Sequence, residues 1–194
     1  MRKVKSSVFP AAIVVAIASV TLGGLSACAS LPLPDNPDQS LFVMVYDFRD
    51  ANFRDGRQFN GVTLTIRQPL TREIVTMNLP NRGNWAAIAL DPGAYRIEQV
   101  VMRFSRDDHS WTDTHRAIVP IFIPERAVIL SRSMVRVNTW VHQDRYDISY
   151  PQVLQWSEHA RIATEGIRSD RMWAAWEGYT EVNFYTPREL ASAR

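Results

Sequence analysis

Lysine is nearly missing from this 194-residue chain: Lys3 and Lys5 are the only two. A folded domain further along has no lysine for a Schiff base or for the phosphate contact of a nucleotide-binding loop. Cysteine is scarcer still, and the single thiol of Cys28 allows no disulfide within the chain. The 8 glycines are scattered, with no run that would cradle a phosphate. Neither His-Glu-x-x-His nor Gly-x-Ser-x-Gly occurs, so zinc-protease and serine-hydrolase readings have no motif behind them.

What is present begins with a signal. Arg2, Lys3 and Lys5 precede a stretch from Val8 to Leu25 with no charged residue, and small residues then lead to Cys28. A cationic start, an apolar centre and a small-residue exit describe an export signal. Leu25-Ser26-Ala27-Cys28 resembles the lipobox of bacterial lipoproteins, Leu-small-small-Cys, at all four positions. The resemblance implies that residues 1–27 are removed and Cys28 carries the lipid. Ala29 after the cysteine, in place of aspartate, resembles lipoproteins sorted to the outer membrane, which implies a periplasm-facing domain there. The alternative is an uncleaved anchor, because the apolar stretch approaches the roughly 20 residues that span a bilayer. Pro10 and the Gly23-Gly24 pair interrupt such a helix.

Cleavage changes the charge. The whole chain is +2, but removing Arg2, Lys3 and Lys5 from its 22 cations leaves 19 against 20 acids, about −1. A nucleic-acid partner loses its electrostatic basis. Residues 28–40 then form the lipidated cysteine and a tether. "LPLPDNPDQS" (31–40), rich in proline and aspartate, predicts extended, poorly packed chain reaching at most about 33 Å.

From Leu41 the pattern is β, and it sets a sandwich domain over 41–148. "LFVMVYDF" (41–48) is a nearly continuous apolar run, as in an interior strand. Val62, Leu64 and Ile66 alternate with Thr63, Thr65 and Arg67; Val75, Met77 and Leu79 share a face after a hairpin link at Pro69-Leu70-Thr71. Asp91-Pro92-Gly93 predicts a type II corner with Gly93 at positive φ. Beyond it Tyr95 and Ile97 lie on one parity, but Val100, Met102 and Phe104 lie on the other, and a bulge near Gln99 repairs the slip. Pro120 assigns "RAIVPIFI" (116–123) to a sheet edge. "AVILSRSMVRVNTWV" (127–141) reads as one long strand or two. The fold class is therefore mainly β: an antiparallel sandwich of about seven strands with a short helical C-terminal addition.

The stretch "ALDPGAYRI" (89–97) resembles the Leu-x-Pro-Gly-x-Tyr corner of transthyretin-like or carboxypeptidase-regulatory-like sandwiches, including envelope lipoproteins of the DUF2846 type. A later stretch, "IPERAVILSRSMVRV", has that family's spacing, with Glu125-Arg126 and Ser131 where glycines stand. The resemblance covers roughly residues 41 to 142 and implies a non-catalytic envelope module with no site residues to carry over.

In the C-terminal part, 149–194, Ser149 and Gln152 fit a capping box with Pro151 in the first turn. Val153, Trp156, Ala160, Ala163 and Ile167 follow a helical spacing, with Gly166 as its C′ residue. A second short helix is expected from Ser169 to Gly178, and a last strand at "EVNFY" (181–185). Trp173, Trp176 and Tyr179 make an aromatic stripe that reads first as core. Its other reading is a glycan or partner contact, shared with Trp140.

One chemical cluster stands out: Asp107, Asp108, His109, Asp113 and His115 in "SRDDHSWTDTHR", read as a solvated hairpin loop. His109, Asp113 and His115 are the weak metal candidates, since imidazole and carboxylate suit zinc or manganese, but the spacing fits no metal motif. His142 with Asp144 and Asp147 is a thinner version, and His159 reads as a surface residue. No catalytic residue, metal or cofactor is assigned. The expected function is a lipid-anchored binding or structural module that contacts another envelope protein; the alternatives are a glycan-binding module and a metal-dependent hydrolase at 107–115.

Overall fold

The computed structural model describes residues 30–48, 56–140, 145–153 and 158–184. Cys28, Trp156, His142 and Asp144 lie outside them, and so do the side chains of Trp140 and Asp147. The fold is mainly β, with two sheets and one α-helix, as the sequence predicts. Where seven strands are expected, the described residues hold nine: β1 (Ser40–Asp47), β2 (Gln58–Arg67), β3 (Ile74–Leu79), β4 (Trp85–Leu90), β5 (Gly93–Arg106), β6 (His109–Ile123), β7 (Ala127–Trp140), β8 (Arg145–Val153) and β9 (Thr180–Val182). The helix α1 spans Glu158–Arg168, and a single 3₁₀ turn spans Trp173–Trp176.

One sheet runs β3-β2-β5-β6 and is antiparallel throughout. The other runs β4-β1-β7-β8, with β9 also on β7. This second sheet is mixed, because β1 and β9 both lie parallel to β7. Parallel neighbours need a long crossover, and between β1 and β7 the chain supplies one by building the whole antiparallel sheet.

Alternation along the strands sorts the core into two. Phe42, Met44 and Tyr46 of β1 face the antiparallel sheet with Val62, Leu64, Ile66, Met102 and Phe104. Leu41, Val43 and Val45 point the other way, beside Val128 and Leu130 of β7, and Ala160, Ala163, Ile167 and Trp176 cover them. The molecule is thus three layers deep: antiparallel sheet, mixed sheet, and a helical layer.

The predicted parity slip in β5 is real. In the pairing with β2, Ile97 sits opposite Ile66 and Gln99 opposite Thr65, so Glu98 is the extra residue. The bulge lets Tyr95, Ile97, Val100, Met102 and Phe104 all reach the core. Outside the core, Glu98 takes hydrogen bonds from Arg67 and Arg96, each at 2.7 Å, which hold its carboxyl below the usual range. Pro120 lies on edge strand β6, where a missing N–H is tolerated.

The Asp91-Pro92-Gly93 corner joins the two sheets. Gly93 has the positive φ expected, at 153° wider than a type II turn requires. A Cβ there would stand 2.7 Å from the Gln68 side-chain nitrogen. The Tyr95 hydroxyl donates to the Asp91 carbonyl at 3.0 Å and ties the corner back on itself.

Three expectations for the C-terminal part are corrected. Ser149, Pro151 and Gln152 do not begin a helix; they lie in β8, with Ser149 opposite Arg136 and Gln152 opposite Met134. The open edge of β7 offers a ladder of backbone partners there, which outweighs a local capping signal. The boundary drawn at 148/149 therefore falls inside a strand. Gly166 is not a C′ residue, because α1 continues to Arg168. A Cβ on Gly166 would lie 2.6 Å from Trp85 Nε1, so glycine is where the helix approaches β4 most closely.

Two outcomes follow from this packing. Glycine to alanine in a helix ordinarily gains up to about 1 kcal/mol. Gly166→Ala is expected to lower the melting temperature instead, and Trp85→Leu should restore the gain by removing the obstructing ring. The second concerns pH. Burial, then Glu73 and Asp91, push the Tyr95 hydroxyl up to about 12. An unfolded tyrosine loses its proton near about 10, so the stability tied to the protonated phenol is complete below that pH. It is lost as pH rises toward about 12. Urea midpoints measured at increasing alkalinity should fall across this window, and less steeply in Tyr95→Phe.

Candidate functional site

The helical layer and the chain before β1 form one constellation. Leu31 is 3% exposed and packs with Ala160, Ala163, Ile167, Trp176 and Phe184. Trp176 is fully buried, and its indole N–H donates to the Pro32 carbonyl at 2.8 Å. The Tyr179 hydroxyl donates to the Pro37 carbonyl at 3.2 Å, its ring stands edge-on to Trp176 at 5.1 Å, and Arg126 lies over it at 5.3 Å. Further along, the side-chain amides of Asn36 and Gln39 both donate to Asp91 Oδ1. The segment expected to be a poorly packed tether is therefore docked from Leu31 onward. Proline carbonyls in extended chain are not spent on a strand ladder and are free to accept from aromatic side chains.

This burial decides between the readings of the aromatic stripe. Trp176 is core and has no face to offer a glycan or a partner, which corrects the expectation that it could be a contact. Trp173 is half-buried beside the same cluster. Trp140 ends β7, with its backbone opposite Arg145. The expected second helix shrinks to the 3₁₀ turn, and Gly178 closes it at φ 85°.

The 107–115 cluster is not a loop. Asp107 and Asp108 alone make the hairpin tip, with Asp107 at φ 51°, and His109 to His115 belong to β6. His109 sits opposite Arg106, Asp113 opposite Met102 and His115 opposite Val100. Six residues of strand separate the two histidines by about 20 Å, so they cannot share an ion. Asp113 and His115 alone approach, at 3.7 Å, both half-exposed. Trp111, between them and the tip, stacks on Phe104 at 5.7 Å and keeps an exposed face.

Two features escape the sequence reading. The first is Asp47 at the end of β1, 4% exposed. Its Oδ2 lies 3.1 Å from His159 Nε2 and 3.9 Å from Arg136 Nε. A buried carboxylate needs such partners, and here they come from α1 and β7. His159 is thus a half-buried tie between helix and sheet rather than a surface residue. The lone charge closing the apolar run 41–48 was the available signal. Among the described residues, no group of three or more His, Cys, Asp or Glu gathers where an ion could sit.

The second is a groove of about 460 Å³ at the β5–β6 bulge, lined by Arg96, Glu98, Gln99, Thr114, Arg116 and Ile118. Beside it on the same outer face, Ile118 and Phe122 are exposed, Phe122 at 72%. They alternate with inward Val119, Ile121 and Ile123, so the rim of the sheet carries an apolar strip.

No protein-family profile and no curated protein matches this chain. Among solved structures, a leucine-rich repeat protein from Bacteroides thetaiotaomicron is similar at 9% identity and a TM-score of 0.33. The similarity covers 52% of this chain and 14% of that one, and at that score it bears on neither fold nor function.

The two stripe tryptophans should separate in a melting experiment. Trp176→Ala is expected to cost about 3–5 kcal/mol, as for a fully packed aromatic, and Trp173→Ala much less. A melting curve left unchanged by Trp176→Ala would contradict its place in the core.

Proposed function

We propose that this chain is a lipid-anchored protein of the bacterial envelope, held in the outer membrane through Cys28, whose sandwich serves as a non-catalytic binding or structural module. The observation that carries the reading is the run Leu25-Ser26-Ala27-Cys28, which ends three residues before the docked Leu31. Signal, modification site and folded domain follow one another with almost nothing between. Among the described residues no helix is long and apolar enough to cross a membrane. In this reading acyl chains on Cys28 supply the membrane affinity.

The partner is another envelope protein, and the surface that supports this is the rim of the antiparallel sheet. Ile118 and Phe122 expose large apolar side chains there, beside the charged groove. Exposed apolar side chains grouped in this way favour a protein contact over bare solvent. The glycan reading retains the half-buried Trp173 and Trp140, whose side chain lies outside the described residues, and Trp111 adds a half-exposed ring.

The anchor is tested directly. Metabolic labelling with a fatty acid should mark the wild type and not Cys28→Ala, and the variant should escape lipoprotein processing. Equal labelling of both would end the lipoprotein reading.

A further inference from the structure

We propose that the protein sits with its helical layer against the lipid headgroups, Leu33 at the contact, and the β3-β2-β5-β6 sheet facing away from the membrane. This rests on the lipidation of Cys28 proposed above and adds an orientation to it. The reason is length. A tether free from residue 28 to residue 40 would let the domain adopt any attitude. The chain is instead pinned at Leu31, buried under the helical layer, and at Pro32, whose carbonyl satisfies the buried Trp176 N–H. Freeing that stretch would leave a buried donor without its partner.

Only three residue steps separate Leu31 from Cys28. Fully extended they span about 10 Å. The lipid attachment point is thus confined close to the layer that holds Leu31. The mixed sheet lies beneath that layer, and the antiparallel sheet lies about 10 Å beyond the mixed one. The domain cannot turn its antiparallel sheet to the bilayer without pulling Leu31 from its site.

One feature of the layer fits a lipid surface as its neighbour. Leu33, two residues from the buried Leu31, is 55% exposed, an apolar side chain placed where the headgroup layer would cover it. The charge balance shows what holds the contact. Residues 158–184 carry three arginines against five carboxylates and no lysine. Such a surface gains nothing from anionic lipid, so the acyl chains hold the domain down and the short tether fixes its attitude.

The experiment uses the full lipidated chain in phosphatidylethanolamine–phosphatidylglycerol vesicles containing a headgroup nitroxide. With Cys28 in thioether linkage, a cysteine introduced by Leu33→Cys or Thr76→Cys is the only free thiol and takes a fluorophore; Thr76 is exposed on the outer face of β3. Quenching at position 33 should exceed that at 76 severalfold. Inserting ten glycine and serine residues between Ser30 and Leu31 should bring the two values together while the fatty-acid label remains. Equal quenching in the original acylated chain overturns the seating alone. A chain that carries no fatty acid overturns the lipidation, and the seating with it.

Discussion

Strand β1 is buried on both faces, and the architecture follows from that requirement. Each of its eight residues is buried, so a single partner sheet would leave half its side chains in water. Leu41, Val43, Val45, Val128 and Leu130 are covered only by the helical layer and the docked N-terminal segment. At roughly 1.5–3 kcal/mol for each buried aliphatic side chain, exposing five of them would remove about as much free energy as a domain possesses. The C-terminal helical part is therefore structurally inseparable from the sandwich, although its composition differs. The ties between the layers are also polar. Asp47 at the end of β1 reaches His159 on α1 and Arg136 on β7, and Asn183 donates to the Leu130 carbonyl.

The same constraint explains the docked N-terminal segment. An indole buried to the depth of Trp176 must find an acceptor. Pro32 supplies it. The segment then continues along the surface through Asn36, Pro37 and Gln39 to the corner at Asp91, where the Tyr95 hydroxyl closes the same turn from the other side.

What could be read from the sequence was what depends on local period. The alternation in β2 and β3, the bulge in β5, the edge position of β6 and the turn at Gly93 each leave a signature within a few residues. What could not be read depends on contacts between distant segments. Ser149 to Gln152 looks like a helix start until β7 is known to lie beside it. Gly166 looks like a helix end until Trp85 is known to lie beneath it. Residues 109–115 look like a polar loop because their strand lies at the rim of the sheet, where half-exposed positions accept His, Asp and Thr. The docking of Leu31 to Gln39 was hidden for a related reason: proline-rich composition reports the absence of secondary structure, which differs from the absence of packing. Cys28, the site with the clearest sequence signature, lies outside the described residues.

The two outer faces of the molecule differ in what they offer. Two of the three arginines in the helical layer are tied to carboxylates, Arg161 to Glu158 and Glu165, and Arg168 to Glu181. Such internally neutralised pairs leave little charge with which to attract a partner. The outer face of the antiparallel sheet is different at β6, where Arg116 lines a groove and Ile118 and Phe122 project beside it. A protein bound there would not extend the sheet along the whole of β6, because Pro120 has no N–H to give and breaks the row of donors that an added strand requires. Recognition at this rim must come from side chains, with Ile118 and Phe122 as apolar anchors on either side of the proline. In the seating proposed above, the short tether on the helical side would leave this rim facing away from the membrane. That arrangement would fix the domain through one face and leave the other open, with the mixed sheet as the layer between them.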